Sequence, residues 1–476
     1  MTERAARSNI KGNDAFWQQG QLVEVAIADL SDSGEGVGRL EQRVVFVPDT
    51  VPGDRILARL IRVKPQYARG KMHQLIVASP DRVRPNCIVA DKCGGCQWQA
   101  VRYEQQLAAK QNQVIQALER IGGLSHPPVS PILAAPFPLD YRNKVTYPLA
   151  VSASGQIQVG YYQKGSHRLV NLNQCPVQDP NFNPFLVGVK QTIQQQGWTV
   201  YDEKRHQGQL RHLSLRIGRR TGEILLTLVV TDWQLPGIAD QAAAWLAQYP
   251  QLVGVLLNCN PGRTNAIFGP ETRCIAGQPY LRETFAGLQF QIGADTFFQV
   301  YTEQAETLLQ SILTELQLQG TEQVVDAYCG VGTLTLPLAQ HAGQVIGLER
   351  QAEAVAQARI NAELNQLTNV RFQVDQVEDG LSRLSARPDI VVLDPPRKGC
   401  DRATLDSLLL LQPQRLVYIS CKPATLARDL KLLIQGGYHL TKVQPADFFP
   451  QTAHVEAAAF LEWRTGNGER GMGNRE

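Results

Sequence analysis

The stretch VYISCKPATLARDL, residues 417–430, sets a cysteine, Cys421, where a strand-like run ends and a helix-like run begins. A thiolate there serves covalent catalysis, because a helix start and the nearby Lys422 and Arg428 lower a thiol pKa. A small inert buried residue fits the same position. Other strand-like runs also end in chemistry-bearing residues: Asp326 opens D-A-Y-C-G-V-G, Glu349 follows Gly330 by 19 positions, Asp375 ends a third run and Asp394 leads D-P-P-R. In a doubly wound sheet, ligands bind beyond the carboxyl ends of the strands, so these residues face one crevice.

The turn Gly330-Val331-Gly332 lets a backbone approach a ligand, and an acid at the end of the next strand holds ribose hydroxyls. Leu334 and Thr335 stand where a dinucleotide fingerprint requires its third glycine. An adenosine cofactor such as S-adenosylmethionine suits the shorter turn; a tight turn without a ligand is the alternative. Pro395 and Pro396 stop their strand and stiffen the backbone beside Asp394. Glu456, in His454-Val455-Glu456, opens a last apolar strand, and its spacing alone is that of a surface carboxylate. A second cluster, Cys87, Cys93 and Cys96, with Cys175 as a distant fourth, provides thiolates for either zinc or an iron–sulfur cluster.

The elements that must position these residues change character along the chain. Residues 21–78 read as short strands between Gly and Asp turns, which predicts a small β-barrel. YEQQLAAKQNQVIQALERIG predicts a helix ending at Gly122-Gly123, and residues 130–290 mix strands and helices. From about residue 300, strands and helices alternate as a mainly parallel sheet requires. The resulting expectation is a multidomain α/β chain: an OB-like barrel over 14–80, a mixed α+β central domain over 81–290, a Rossmann-like catalytic domain over 291–465 and a disordered polar tail over 466–476.

The chain has 476 residues, 43% of them hydrophobic, and a net charge of +3, which predicts several soluble domains. No apolar run is long enough to span a membrane, and the polar start resembles no secretory signal, so a cytoplasmic protein is expected. Nine cysteines without an export signal argue against a disulfide framework. Residues 58–84 carry a clear excess of Lys and Arg over a single acid, Asp81, which fits a phosphate-contacting face or a solvated edge equally.

Five motifs in order, FFQV at 297–300, DAYCGVGTLTLPLA, LDPPRKG, ISCKPATLARDL and HVE, resemble the RNA 5-methyluridine (uracil-5-) methyltransferases. The resemblance spans nearly the whole chain. It implies S-adenosyl-L-methionine as methyl donor, Cys421 as the nucleophile that adds to carbon 6 of a uracil, and Glu456 as the general base. It implies Gln299, Tyr328, Glu349 and Asp394 as cofactor contacts. Tyr301 and Lys422 depart from the family's usual FFQVN and SCNP. CGGCQWQ with Cys175 resembles the cluster-bearing members, which implies a [4Fe–4S] cluster on Cys87, Cys93, Cys96 and Cys175. The N-terminal barrel resembles the RNA-binding TRAM domain, and YRNK at 141–144 is expected to grip RNA outside the reacting base. The implied activity is methylation of a uridine in 23S rRNA by an rRNA-processing enzyme with no obligate protein partner. The alternatives are a tRNA loop uridine, a cytosine-5 methyltransferase, or a non-catalytic iron–sulfur RNA-binding protein.

Overall fold

The computed structural model describes residues 17–41, 43–384 and 386–464. Residues 14–16, expected in the barrel, and 465–476, including the expected disordered tail, lie outside the described residues. The chain divides into two compact units. One runs to Arg84 and takes in Ala100–Arg102; the other holds Pro85–Gln99 and the chain from Tyr103 onward.

The first unit is a closed barrel of β1 (Leu22–Leu30), β2 (Gly36–Leu40), β3 (Arg43–Val47), β4 (Arg55–Val63) and β5 (Tyr67–Val77), in the order β1-β2-β3-β5-β4. Alternate residues of β1, Val23, Val25 and Ile27, point into the barrel, and Val45, Val47, Ile56, Ala58 and Leu60 meet them. That period of two is what a strand with one face inside a barrel requires. Gly38 is required by close approach: a Cβ there would stand 2.2 Å from Val25 Cγ1. Arg59, Arg62, Lys64, Arg69 and Lys71 are exposed, but Arg82 turns inward to pair with the buried Asp54. Asp54 also accepts from the N–H groups of Val51 and Ser79 at 2.7 and 2.9 Å.

The second unit contains two large sheets. Strands β6 (Lys144–Val151), β7 (Ile157–Tyr162), β8 (Leu169–Asn171), β9 (Leu210–Ile217), β10 (Ile224–Val230), β11 (Leu252–Cys259) and β12 (Glu271–Gly277) form a sheet in the order β12-β11-β10-β9-β6-β7-β8. A hairpin, β13 (Tyr280–Phe285) and β14 (Leu288–Gly293), turns on Ala286-Gly287, both at positive φ as a two-residue turn demands. The other sheet comprises β15 (Gln323–Ala327), β16 (Gln344–Glu349), β17 (Val370–Val374), β18 (Ile390–Leu393), β19 (Arg415–Ser420), β20 (Tyr438–Ala446) and β21 (Glu456–Trp463). Its order is β17-β16-β15-β18-β19-β21-β20, parallel through β19, with β21 antiparallel to both its neighbours.

Both faces of this sheet are covered, so its strands read as continuous apolar runs rather than alternating ones. Val324, Val417, Ile419 and Phe460 enter one core; Val325, Leu416, Tyr418 and Leu461 enter the other. The helix expected after the barrel is α1 (Tyr103–Arg120), which contributes Val114 and Leu118 to the second of these cores. No helix among the described residues is long and apolar enough to cross a membrane.

Burial raises the Asp54 pKa, but Arg82 and the two backbone N–H groups outweigh it, so the net shift is downward. Its stabilisation is therefore complete above the unfolded carboxyl pKa and lost as pH falls through the lowered folded value. Asp54→Ala, which strands Arg82, is expected to destabilise the barrel by ~3 kcal/mol, read as an earlier urea transition of the full chain at pH 7; an unchanged transition contradicts this account.

Candidate active site

The strand order reverses between β15 and β18, and there the crevice beyond the strand ends opens. Asp326 lies at the end of β15, and Asp394 directly follows β18. β21 runs opposite to β19, so its first residue arrives where β19 ends. Ser420 pairs with Ala457, and the next position in register sets Cys421 against Glu456. Topology thus unites two residues 35 positions apart (456 minus 421) at one sheet edge.

One cavity is lined by Gln299, Tyr328, Gly330, Asp394 and Glu456, together with Asp326, Phe297 and Phe448. The turn that shapes it needs left-handed backbone at Tyr328 (φ 70°), Gly330 (φ 55°) and Gly332 (φ 89°). Two of these positions are glycine; the third holds a bulky side chain in a rarely adopted conformation. Glu349 does not line the cavity. Its carboxylate braces the turn instead, accepting from the N–H of Gly330 at 3.3 Å and of Gln351 at 2.9 Å.

The electrostatics correct one expectation. Burial pushes the Cys421 thiol up to about 11, and Glu456 and Asp394 add to the shift; Arg397 and a backbone N–H oppose it. The two cations expected to lower it do not. Arg428 is paired with Asp429 and donates to the carbonyl of Lys398, and Lys422 lies exposed at the helix start. Burial likewise raises Asp394 to about 7, and holds Glu456 well above the usual carboxylate range with help from Asp394 and against Arg397. Glu456 is 6% exposed, not the surface carboxylate its spacing suggested.

Gln299 is held by the central sheet. Asn143 donates its side-chain amide to the Gln299 carbonyl at 2.9 Å and to Thr302 Oγ1 at 3.0 Å, and Tyr141 stacks on Tyr301 with centroids 4.7 Å apart. Half of YRNK therefore faces inward as scaffold, which corrects its reading as an RNA grip; a polar tetrapeptide does not reveal which residues a strand buries. Asp326, expected at this edge from the strand ends, is among the lining residues, whereas Arg397, inside the recognised LDPPRKG motif, is a neighbour to which sequence reasoning gave no role. Phe448 lies in a segment with no motif of its own.

Cys87, Cys93, Cys96 and Cys175 line a second cavity of about 160 Å³, shared with Gln99, Tyr141 and Tyr161. Both polar atoms of the Gln99 side chain are buried without a hydrogen-bond partner. Among the described residues, no group of three or more His, Cys, Asp or Glu side chains is arranged to hold a metal ion.

A family profile for tRNA (uracil-5-)-methyltransferases matches residues 271–464, and a TRAM domain profile matches residues 17–73. An uncharacterized RNA methyltransferase of Nostoc sp. is 68% identical over 94% of this chain and 97% of its own length. The chain belongs to the RNA (uracil-5-)-methyltransferase family. Another uncharacterized RNA methyltransferase, from Synechocystis sp., is 53% identical over 96% of this chain and 99% of its own. A crystal structure of Pyrococcus abyssi tRNA (uracil-54, C5)-methyltransferase with S-adenosyl-L-homocysteine superposes with a TM-score of 0.74 at 28% identity, covering 92% of this chain and 100% of that one. In this methyltransferase the catalytic match contains Gln299, Tyr328, Glu349, Asp394, Cys421 and Glu456, whereas all four clustered cysteines fall outside both matched regions.

Asp326 is 1% exposed; Thr335 donates to one carboxyl oxygen and the other has no partner. Burial first, then Asp394 and Glu349, raise its pKa to about 7 against an opposing Thr335 bond. The folded protein then binds more protons than the unfolded chain between pH 4 and 7, and its stability falls across that range. Asp326→Asn removes this burden, so its melting temperature is expected to exceed that of the parent by an amount that grows from pH 5 to pH 8; a constant difference contradicts the assignment.

Proposed function

We propose that this protein transfers a methyl group from S-adenosyl-L-methionine to carbon 5 of a uridine in 23S rRNA. The observation that carries this reading is the β19–β21 register, whose last pair, Ser420 with Ala457, brings Cys421 to the edge where Glu456 and Asp394 line the cavity and act electrostatically on its thiol. The cofactor cavity fits an adenosine ligand: Gly330 leaves its backbone open, Gln299, Tyr328 and Asp394 supply polar contacts, and the buried Asp326 oxygen lacks a partner. When bound, the cofactor supplies the methyl group on a positively charged sulfur. A positive charge in this cavity favours the ionised forms of Asp394, Glu456 and Cys421.

Carbon 5 of uracil is a weak nucleophile. Addition of the Cys421 thiolate to carbon 6 places electron density on carbon 5, which then accepts the methyl group. The adduct retains a proton on carbon 5. Glu456 removes it, the electron pair re-forms the C5–C6 double bond, and the thiolate leaves. Asp394 orients the uracil edge and the cofactor. Attack on ring carbons requires an unstacked base, so the target uridine lies in a loop or is flipped out. Tight burial of Glu456 keeps water from the carboxylate during this transfer.

The TRAM barrel, with Arg59, Arg62, Lys64, Arg69 and Lys71 exposed, supports RNA binding. The cysteine cavity and the barrel together favour a ribosomal target through the family resemblance. A tRNA uridine is the second reading, favoured by the tRNA methyltransferase that superposes along most of the chain. For the four cysteines we propose a [4Fe–4S] cluster. The four thiols line one cavity together, and the resemblance of CGGCQWQ with Cys175 to the cluster-bearing members favours the cluster over zinc.

Methyl transfer from radiolabelled S-adenosylmethionine to unmodified 23S rRNA and tRNA transcripts is expected to place label in 5-methyluridine of the ribosomal RNA. Label in tRNA alone overturns the choice of RNA, and label in neither overturns the activity. Cys421→Ala is expected to abolish turnover, and Glu456→Gln to lower it by ~10²- to 10⁴-fold while a covalent protein–RNA adduct builds up. Because both reacting groups have raised pKa values and act deprotonated, turnover is expected to rise with pH from 6 to 9. Protein purified without oxygen is expected to contain iron and acid-labile sulfide in equal amounts; zinc without sulfide overturns the cluster.

A further inference from the structure

The segment between β20 and β21, residues 447–455, serves both cavities. Phe448 lines the one holding Asp394 and Glu456, and Thr452 lines the one with the four cysteines. The segment is a loop, yet most of it is buried, and its polar groups are tied to residues 97–141. Gln97 and Trp98 donate their N–H groups to the Gln451 carbonyl at 3.1 and 3.0 Å. The Gln451 N–H donates to Gln106 Oε1 at 2.9 Å, and Gln106 Nε2 donates back to Gln451 Oε1 at 3.2 Å and to the Trp98 carbonyl at 3.1 Å. Tyr141 donates to the Pro450 carbonyl at 3.1 Å, and the fully buried Lys110 pairs with Asp447 and donates to the Phe449 carbonyl at 3.0 Å. Gln451 itself sits at φ 70°, a left-handed conformation rare outside glycine.

We infer that Gln451 is a positioning residue: its reciprocal bonds with Gln106 fix the loop from which Glu456 emerges five residues later, and so set where the catalytic carboxylate stands. This rests on the reading of Glu456 as the base. Cys421, Asp394 and Tyr328 hang from other strands, and Phe448, the loop's contribution to the cavity wall, directly follows Asp447, which Lys110 holds separately, so loss of the Gln451–Gln106 bonds bears chiefly on the last step. In that step the C5–H bond breaks and its proton passes to the carboxylate. The electron pair of that bond forms the C5–C6 double bond, and the C6–S bond breaks with its electrons returning to Cys421. Proton transfer from carbon demands a short, aligned approach, which makes this step the one most sensitive to displacement.

The test uses Gln451→Gly, which keeps the left-handed backbone while removing the side-chain bonds, and Gln106→Ala, which breaks the same link from the other side. The full chain is assayed on 23S rRNA and tRNA transcripts made with uridine or with 5-fluorouridine. On uridine RNA, both variants are expected to turn over ~10- to 100-fold more slowly with kcat/KM for RNA unchanged, so that KM falls with kcat, and to accumulate an adduct that survives denaturing electrophoresis. On 5-fluorouridine RNA, where fluorine cannot leave as a proton does, variants and parent are expected to trap at the same rate, since the earlier steps are intact. Unchanged turnover, or slow turnover without adduct, overturns the positioning role. Failure of the parent itself to trap on 5-fluorouridine RNA overturns the covalent mechanism, and the positioning role with it.

Discussion

The antiparallel seating of β21 between β19 and β20 is the constraint on which the site depends. A parallel strand there would deliver its carboxyl end to the crevice, and Glu456, at the strand's amino end, would lie at the opposite edge. Reversal of one strand lets a residue that begins a strand meet one that follows another. Register then does the rest: because side chains alternate, a slip of one residue between β19 and β21 would turn Glu456 away from Cys421. The apolar run Ala457–Leu461, buried on both faces, fixes that register by packing.

Placing reactive groups at this edge means burying charge. Asp326, Asp394 and Glu456 share a low-dielectric crevice, and each holds its proton more tightly than a carboxyl in water. Cys421 is subject to the same forces. Burial thus favours the neutral forms of these groups, and a positive charge that joins them favours ionisation. Arg397 opposes the upward shift of both Cys421 and Glu456, while Arg428 is spent on Asp429 and on a carbonyl of the neighbouring loop.

Much of this arrangement was readable beforehand because it follows from local pattern. Short strands between Gly and Asp turns marked the barrel, and the ends of apolar runs marked Asp326, Glu349, Asp394 and Cys421. The alternation of helices and strands from about residue 300 begins with the helix Thr302–Leu316. What depends on three-dimensional neighbours was not readable. The strand β20 went unremarked because Lys442 and Gln444 interrupt its apolar pattern. The helix that follows the glycine turn is only Thr335–Ala339, with Pro337 inside it. The upward shift of the Cys421 thiol reflects burial and two carboxylates distant in sequence, and the inward turn of Tyr141 and Asn143 reflects packing against a segment 156 or more residues away.

The order of strands along the chain has a bearing on how the protein is made. Six strands of the catalytic sheet precede β21, yet β21 is not at the edge: it fills the gap between β19 and β20. During synthesis, Cys421 and Asp394 emerge before Glu456, while β19 presents an unpaired apolar flank that invites association with other chains. A ribosome-bound chain that stops short of residue 456 would carry the thiol without the carboxylate that stands beside it. Completion of the sheet joins two events, because the last of its described strands to be translated closes the exposed flank and brings in that carboxylate together.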